Sequence, residues 1–455
     1  MAVAAVEENV SRMSDGVLAL SGYGIDLRVD RGHLIARDGV ADDRREIRLS
    51  RVQPELDRII VIGTAGTITF DALQWIHDVE AAFVQIGYDG KVISTSAPKG
   101  RGNSELLRAQ ALVSASAAAL ELSREIVTRK LEGQLAVLER IEGSEESRHA
   151  LETYRDQVQG AETAKQILGL EANAAKYYWT AWRELPIRFV DPETVPEHWR
   201  TFGPRGSPYS AGNKHAVTPP NAMLNYFYAV LQAETRISCL KLGMDPGLGI
   251  FHPTRRWRDS FVFDLMEPAR PVVDDYLLDL LEDRTFEKDD FFENRKGVVR
   301  VLPPLTHELS ETAARWRKVV GGMAEQLARA LMEIGGGGSR GALAKSAGST
   351  LKGQILPTPL SNEYRREGRP KGDRKRRRKL QKQWARNQEW NERERDGALE
   401  DVDYEEEILP GLQDLKIKEI AEATGLSISY CSAIRSGKYV PHRRHWKTLE
   451  RIAAS

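Results

Sequence analysis

Apolar positions along the first hundred residues fall in short runs, and beyond them they recur every three to four positions in much longer segments. Residues 17–21, 25–29, 33–37, 46–49 and 58–63 are strand-type runs, separated by glycine turns and by the Asp38-Gly39 and Asp89-Gly90 pairs. Residues 70–77 interrupt them as a short helix, and 82–86 return to strand. The turn Gly63-Thr-Ala-Gly66 has the spacing of neither glycine fingerprint, so it is read as a plain connection rather than a phosphate cradle. After a breaker at 98–103, Ser104 can cap a helix whose apolar residues continue to about Ile141. Further helices are predicted over 147–181, 220–242, 260–281, 289–294 and 305–334. The expected fold class is therefore α+β, with a β-rich N-terminal domain over 1–97 and a larger all-α domain over 104–334.

Composition narrows the class. The 455 residues suffice for two or three domains, and 41% hydrophobic with 29% charged residues suits a globular chain. Cys239 and Cys431 are the only cysteines, which excludes a disulfide framework and a Cys-rich zinc site and makes a reducing cytosol the expected compartment. Glu7 and Glu8 stand where a signal peptide would be apolar, and no run approaches the roughly 18 apolar residues of a membrane span. A cytoplasmic protein with no membrane partner is expected.

Lys and Arg number 66, as do Asp and Glu, yet this neutrality hides a local imbalance. A run of glycines from Gly335 opens a Ser/Gly/Pro-rich stretch reaching Pro359, and the whole of 335–410 reads as flexible linker. Within it, residues 365–386 carry a net charge of +10 and residues 389–407 carry −8. These blocks are either two solvated segments or an arm that contacts nucleic acid, the acidic block folding back when DNA is absent. From 411 to 455 the pattern changes again: an amphipathic segment at 417–424, Gly425 as a stop, and Ser427 as a cap for a second helix reaching Arg435. This is helix-turn-helix grammar, with Cys431 and Ile434 as packing positions and a local charge of +4. Ser429, Tyr430, Arg435, Lys438, Arg443 and Arg444 are the candidate DNA contacts if its second helix enters a groove; a protein-interaction module is the alternative.

Chemistry concentrates between Asn221 and Pro271. Glu234 lies late on a predicted helix, the loop Gly243-Met-Asp-Pro-Gly-Leu-Gly249 follows, and His252 comes just after it. Asp264 and Glu267 are three apart on the next helix and so share a face. Oxygen ligands with one imidazole suit Mg²⁺ or Mn²⁺ at a phosphoryl-transfer centre better than structural zinc. Taken singly, the histidine reads equally as a hydrogen-bonded structural residue and the acids as a solvated face.

The ordered run Asn221–Tyr226, Glu234, Leu242–His252 and Arg258–Pro271 resembles the signature of the CRISPR-associated adaptation integrases, the endonucleases that insert new spacers into CRISPR arrays. Tyr177-Tyr178-Trp179 and Phe189 also resemble that family's helical domain, and residues 16–334 match its two-part plan. The resemblance implies that the all-α domain is catalytic, that Glu234, His252 and Glu267 bind the metal, and that Asp264 is a fourth ligand or a group orienting the others. It implies transesterification by a DNA 3′-hydroxyl; Arg255, Arg256 and Arg258, next to the ligands, are read either as positioning phosphates or as solvated surface arginines. It also implies a homodimer and, in CRISPR systems, a smaller adaptation partner protein. The extension beyond 334 departs from the usual member and resembles casposases and solo members, so the inserted DNA is either a spacer or a transposon end. A structure-specific repair nuclease and a non-catalytic DNA-binding regulator are the other readings.

Overall fold

The computed structural model describes residues 15–39, 44–51, 56–88, 90–98, 102–205, 215–256 and 258–335, and further along 356, 404, 408–413, 415–424, 428–436, 441 and 445–453. They fall into two compact units that divide between Arg366 and Glu367. The first unit is α+β, a β-rich region followed by helices.

Its β-rich region holds two four-stranded sheets. One joins β1 (Val17–Ser21), β5 (Arg58–Ile62), β7 (Ala82–Ile86) and β8 (Val92–Ser96) in the order β1-β5-β7-β8, parallel except for β8. The other joins β4 (Arg45–Leu49), β3 (His33–Asp38), β2 (Ile25–Asp30) and β6 (Gly66–Ile68), with β6 parallel to β2 and the rest antiparallel. The first sheet explains why β1 and β5 read as continuous apolar runs rather than alternating ones. Leu18, Leu20, Ile59 and Val61 pack with Leu27, Leu34 and Trp75 of the β-rich core, whereas Val17, Ile60 and Ile62 join the helical core. A sheet covered on both faces has no wet side to be polar. Helix α1 (Phe70–Asp78) contributes Ala72, Trp75 and Ile76 to the β-rich core.

The helical region runs through α2 (Ser104–Ser114), α3 (Ala118–Leu138), α4 (Glu145–Gln159), α5 (Ala164–Trp182), α6 (Pro219–Leu242), α7 (Ser260–Met266), α8 (Arg270–Asp283), α9 (Leu305–Glu311) and α10 (Ala313–Gly335). Two long periodic segments break where small or flexible residues interrupt them, at 115–117 and at Gly160, and the last breaks at Thr312. Asn103, rather than Ser104, caps α2, its side chain accepting from the Leu106 amide at 3.0 Å. The expected helix at 289–294 is instead a 3₁₀ turn leading into β11 (Phe291–Glu293), which pairs antiparallel with β12 (Val299–Val301). The aromatic pair Phe291-Phe292 alternates buried and exposed there, a strand pattern too short to read in isolation. A two-residue pair, β9 (Arg188–Phe189) with β10 (Thr285–Phe286), ties the segment after α5 to the end of α8. Helix α6 is central: it packs against α7, α8, α10, β8 and β12. Leu356, within the stretch expected to be linker, is buried in this core, and its amide lies 3.3 Å from a Glu125 carboxylate oxygen.

The second unit contains α11 (Leu409–Gln413), α12 (Ile417–Thr424), α13 (Ile428–Arg435) and α14 (Trp446–Ala453). Ile420, Cys431, Ile434, Leu412, Trp446 and Leu449 form its core, which reaches back to Tyr404 and Ile408. The basic block and most of the acidic block lie outside the described residues.

The Gly63–Gly66 connection has a steric role. A Cβ at Gly66 would sit 2.7 Å from the Ile25 carbonyl oxygen, across the β2–β6 pairing. Gly66→Ala should destabilise the first unit by about 1–3 kcal/mol by forcing that pairing apart, read as a lower urea midpoint at unchanged slope.

Candidate metal and phosphoryl-transfer site

The loop after α6 is built by local requirements. Gly243 ends the helix with φ 86°, the left-handed conformation that glycine adopts without strain. Buried Gln110 of α2 then stitches the loop. Its side-chain amide donates to the Asp245 and Leu248 carbonyls at 2.9 and 3.1 Å, and its oxygen accepts from the Asp245 amide at 2.8 Å. A Cβ at Gly249 would meet the His252 carbonyl oxygen at 2.2 Å, so the chain can turn back on itself only with glycine there.

Asp264 of α7 completes this folding. Fully buried, its Oδ2 accepts from the Ile250 and Phe251 amides at 2.5 and 3.0 Å, and its Oδ1 from the His252 amide at 2.8 Å. The same Oδ1 lies 2.7 Å from His252 Nδ1. With Nδ1–H donated to the carboxylate, the other ring nitrogen, Nε2, keeps its lone pair for an electrophile.

Glu267 begins the 3₁₀ turn Glu267–Ala269 between α7 and α8, one turn beyond Asp264. Lys130 of α3 places its ammonium 2.7 Å from Glu267 Oε2, and the same ammonium pairs with Glu171 of α5. Arg270 Nε reaches Glu267 Oε1 at 3.1 Å. Burial alone would raise the Glu267 carboxyl, but Arg270, Lys130 and then His252 hold it well below the usual carboxylate range. Apart from the ion pair with Lys130, the buried Oε2 has no hydrogen-bond partner among the described residues.

Behind this cluster stands a wall of aromatics. Arg270 lies over the Tyr228 ring at 4.8 Å, and the Tyr228 and Tyr178 hydroxyls donate to the two oxygens of Asp274 at 2.5 and 2.9 Å. Burial pushes the Asp274 carboxyl up to about 6. Tyr178 and Glu171 are seven residues apart on α5, so they lie on one helix face.

The structure does not bring Glu234 into this cluster. Both its oxygens accept from Arg58 of β5, at 2.7 Å from Nε and 2.9 Å from Nη2, and both side chains are buried. A carboxylate committed to a bidentate guanidinium inside the core is a structural ion pair between the sheet and α6. The expected trio of Glu234, His252 and Glu267 is thus corrected: among the described residues no three His, Cys, Asp or Glu side chains stand close enough together, as placed, to hold a metal. The acid that shares a cation with Glu267 is Glu171, which sequence reasoning passed over. A signal existed, because Ile167, Ala174, Tyr178 and Trp182 form the buried stripe of α5 and Glu171 interrupts it at helical spacing. Lys130 interrupts the buried stripe of α3 between Val127 and Leu131 in the same way.

Arg255 and Arg256 are exposed beside His252, and Arg258 is half-buried with its guanidinium 5.1 Å from the centre of the Phe263 ring. Arg255 and Arg258 line a cleft of about 760 Å³ with Thr95, Arg236, Asp245 and Asp259. In the second unit, Arg435 donates to the Leu415 carbonyl at 3.1 Å and so braces α13 against the residue preceding α12. The side chains of Ser429 and Tyr430 and all of Lys438, Arg443 and Arg444 lie outside the described residues. No helix among the described residues is long and apolar enough to cross a membrane.

A β-rich region leads into a helical domain in which acids of α5 and of the turn after α7 share the Lys130 ammonium and Asp264 holds His252 in the preceding loop, an architecture that suits a nuclease or integrase. Residues 18–302 match the model of the family described as CRISPR associated protein Cas1, and the chain belongs to that family. The CRISPR-associated endonuclease Cas1 1 of Archaeoglobus fulgidus is 26% identical over 293 residues, covering 60% of this chain and 80% of that protein. The CRISPR-associated endonuclease Cas1 2 of Pyrobaculum aerophilum is 25% identical over 325 residues, covering 69% of this chain and 98% of that protein. Among solved structures, a casposase bound to integration product has a similar fold, with a TM-score of 0.59 at 23% identity over 70% of this chain and 90% of that one.

The Arg58–Glu234 pair has a measurable consequence for stability. Arg58→Met or Glu234→Gln alone leaves one partner buried without its counter-charge and should cost about 3–5 kcal/mol. The double variant should recover part of that loss in urea unfolding, since neither charge is then orphaned.

Proposed function

We propose that the chain is a Mg²⁺- or Mn²⁺-dependent DNA integrase and endonuclease, with Glu171, Glu267 and His252 as the residues that would hold the metal once their side chains draw together, since as placed they stand too far apart to share one. One observation carries this reading: two carboxylates from separate helices, Glu171 and Glu267, converge on a single buried cation, the Lys130 ammonium. Such a donor set suits a hard divalent cation, with the imidazole as a borderline ligand. A metal held there would supply charge neutralisation at the attacked phosphate and a lowered proton affinity of the attacking hydroxyl.

The chain's own residues do the rest. Asp264 fixes the His252 tautomer and ring direction, leaving Nε2 as the outward donor. Arg270 and Lys130 keep Glu267 ionised in a buried setting where it would otherwise take up a proton. Arg255, Arg256 and Arg258 lie where a DNA backbone would approach the cleft and position its phosphates. A 3′-hydroxyl of incoming DNA attacks a target phosphodiester; one P–O bond forms as another breaks, the displaced strand leaves with its own 3′-hydroxyl, and no covalent protein intermediate is needed. Attack by water on the same phosphorus gives nicking.

The DNA is inserted by a homodimer, which in a CRISPR setting loads onto a smaller partner protein. The second unit, beyond the family match at 18–302, favours a variant reading in which the inserted DNA is a transposon end, as in casposases. In either case the C-terminal helices bind duplex DNA, with Ser429, Tyr430, Lys438, Arg443 and Arg444 as proposed contacts.

Strand transfer and nicking on branched DNA should require Mg²⁺ or Mn²⁺. Glu171→Gln, Glu267→Gln and His252→Ala should each lower the rate by at least about a hundredfold, with duplex binding largely kept. Wild-type turnover by Glu171→Gln or His252→Ala would sink the mechanism. Glu234→Gln should lose activity only in proportion to its folded fraction.

The charge pattern divides labour between the units, since residues 1–364 carry a net charge of −6 whereas 365–386 carry +10. A chain ending at Arg366 keeps Leu356 and the whole first core. It should still act on pre-branched DNA but bind plain duplex more weakly, with a shallower dependence of log affinity on log salt. An unchanged slope would assign the C-terminal unit to a protein partner instead.

A further inference from the structure

Lys130 is the part of the cluster that a metal-binding reading does not absorb. It sits in the middle of α3, its side chain only 8% exposed, and its ammonium contacts a carboxylate oxygen of Glu171 and of Glu267 at once. Long flexible side chains are rarely buried without cause, because both desolvation and lost rotamer freedom oppose it. The cause here is charge. Glu171 and Glu267 carry two negative charges, Lys130 and Arg270 two positive ones, so the described cluster is neutral as it stands. Without Lys130, the two carboxylates would face one another with only Arg270 beside Glu267.

We propose that Lys130 is a resident counter-cation occupying the position a divalent metal must take, so that metal entry requires its ammonium to withdraw from Glu171 and Glu267. The inference rests on the assignment of those two residues as ligands. It makes Lys130 a positioning residue with two opposed effects. It offsets the charge of the two carboxylates and holds them adjacent in the metal-free protein, and it weakens metal binding by competing for the same oxygens. Arg270 cannot substitute for it, since its guanidinium reaches only Glu267 Oε1 and is held over the Tyr228 ring. An ammonium is also well suited to withdraw, being a compact charge on a flexible stem rather than a rigid fork.

The test is Mn²⁺ binding by the full chain, followed by electron paramagnetic resonance, with the component abolished by Glu171→Gln taken as the site. Lys130→Gln keeps the length and a hydrogen-bond donor without the charge, and Lys130→Met removes both. Each should bind Mn²⁺ at this site at least about tenfold more tightly than wild type, since a like charge a few ångströms from the metal has been removed. Each should also melt at a lower temperature than wild type without metal and gain more from saturating Mn²⁺. Lys130→Arg, which keeps the charge, should bind no more tightly than wild type. Near-UV circular dichroism establishes folding, and a variant that folds only with Mn²⁺ present supports the proposal. Unchanged or weaker Mn²⁺ affinity in folded Lys130→Gln would overturn it and leave Lys130 as a fixed structural ion pair. If Glu171→Gln, Glu267→Gln and His252→Ala all leave the Mn²⁺ titration as in wild type, the ligand assignment itself falls. Those variants thereby separate the two failures.

Discussion

The Asp264 carboxylate, fully removed from water, accepts hydrogen bonds from three successive backbone amides and meets an imidazole nitrogen, and the geometry around the site follows from that one commitment. A buried carboxylate is tolerable only when its lone pairs are filled, and here the 250–252 backbone fills them. The loop is thereby pinned to α7, and His252 is pinned to the loop. Glu267, one turn further along the chain from Asp264, faces the same region without any long-range adjustment. Asp264 consequently has no oxygen left over, and its contribution is to orient His252.

Two buried ion-pair systems divide the remaining acids by function. Arg58 and Glu234 form a bidentate pair between the central sheet and α6, each carboxylate oxygen accepting one guanidinium N–H. Lys130, Glu171, Glu267 and Arg270 form an open one, in which a single flexible ammonium bridges carboxylates from two separate elements. A bidentate pair anchors elements; an open one retains capacity for another ligand. The contrast explains how two glutamates of nearly equal burial, Glu234 and Glu267, take different roles in one domain.

The β-rich region supports this arrangement rather than adding chemistry. Its parallel sheet is buried on both faces, so β5 can present Arg58 inward to Glu234 while Ile60 and Ile62 pack on the helices. The aromatic wall of Tyr178, Tyr228 and Asp274 holds Arg270 in place from the opposite side. The C-terminal unit has its own apolar core.

Much of the fold was legible from periodicity alone. Six strands over the first hundred residues lie within a residue or so of their predicted places, because apolar runs of that length bounded by glycine turns have few alternatives, whereas β6 and β8, short or largely polar, were not predicted. The long helices were legible as helical but not in their breaks, which depend on small residues whose effect is decided by packing. At 289–294 a stretch too short to show a period became a strand because β12 was there to pair with it. His252, Asp264 and Glu267 could be singled out because they are close in sequence and share one loop-and-helix unit. Glu171 and Lys130 carried only the weaker signal of a charge inside an apolar helical stripe, since they lie roughly 80 to 140 residues upstream on other helices and only packing brings them to Glu267. Glu234 was misassigned for the converse reason. It stands beside the motif in the chain, yet Arg58, 176 residues away, claims its carboxylate. The sequence determined which acids must be buried on helical faces; the tertiary structure decided which cation each one meets, because an ion pair depends on distance in space, and spacing along the chain sets that distance only within a single element.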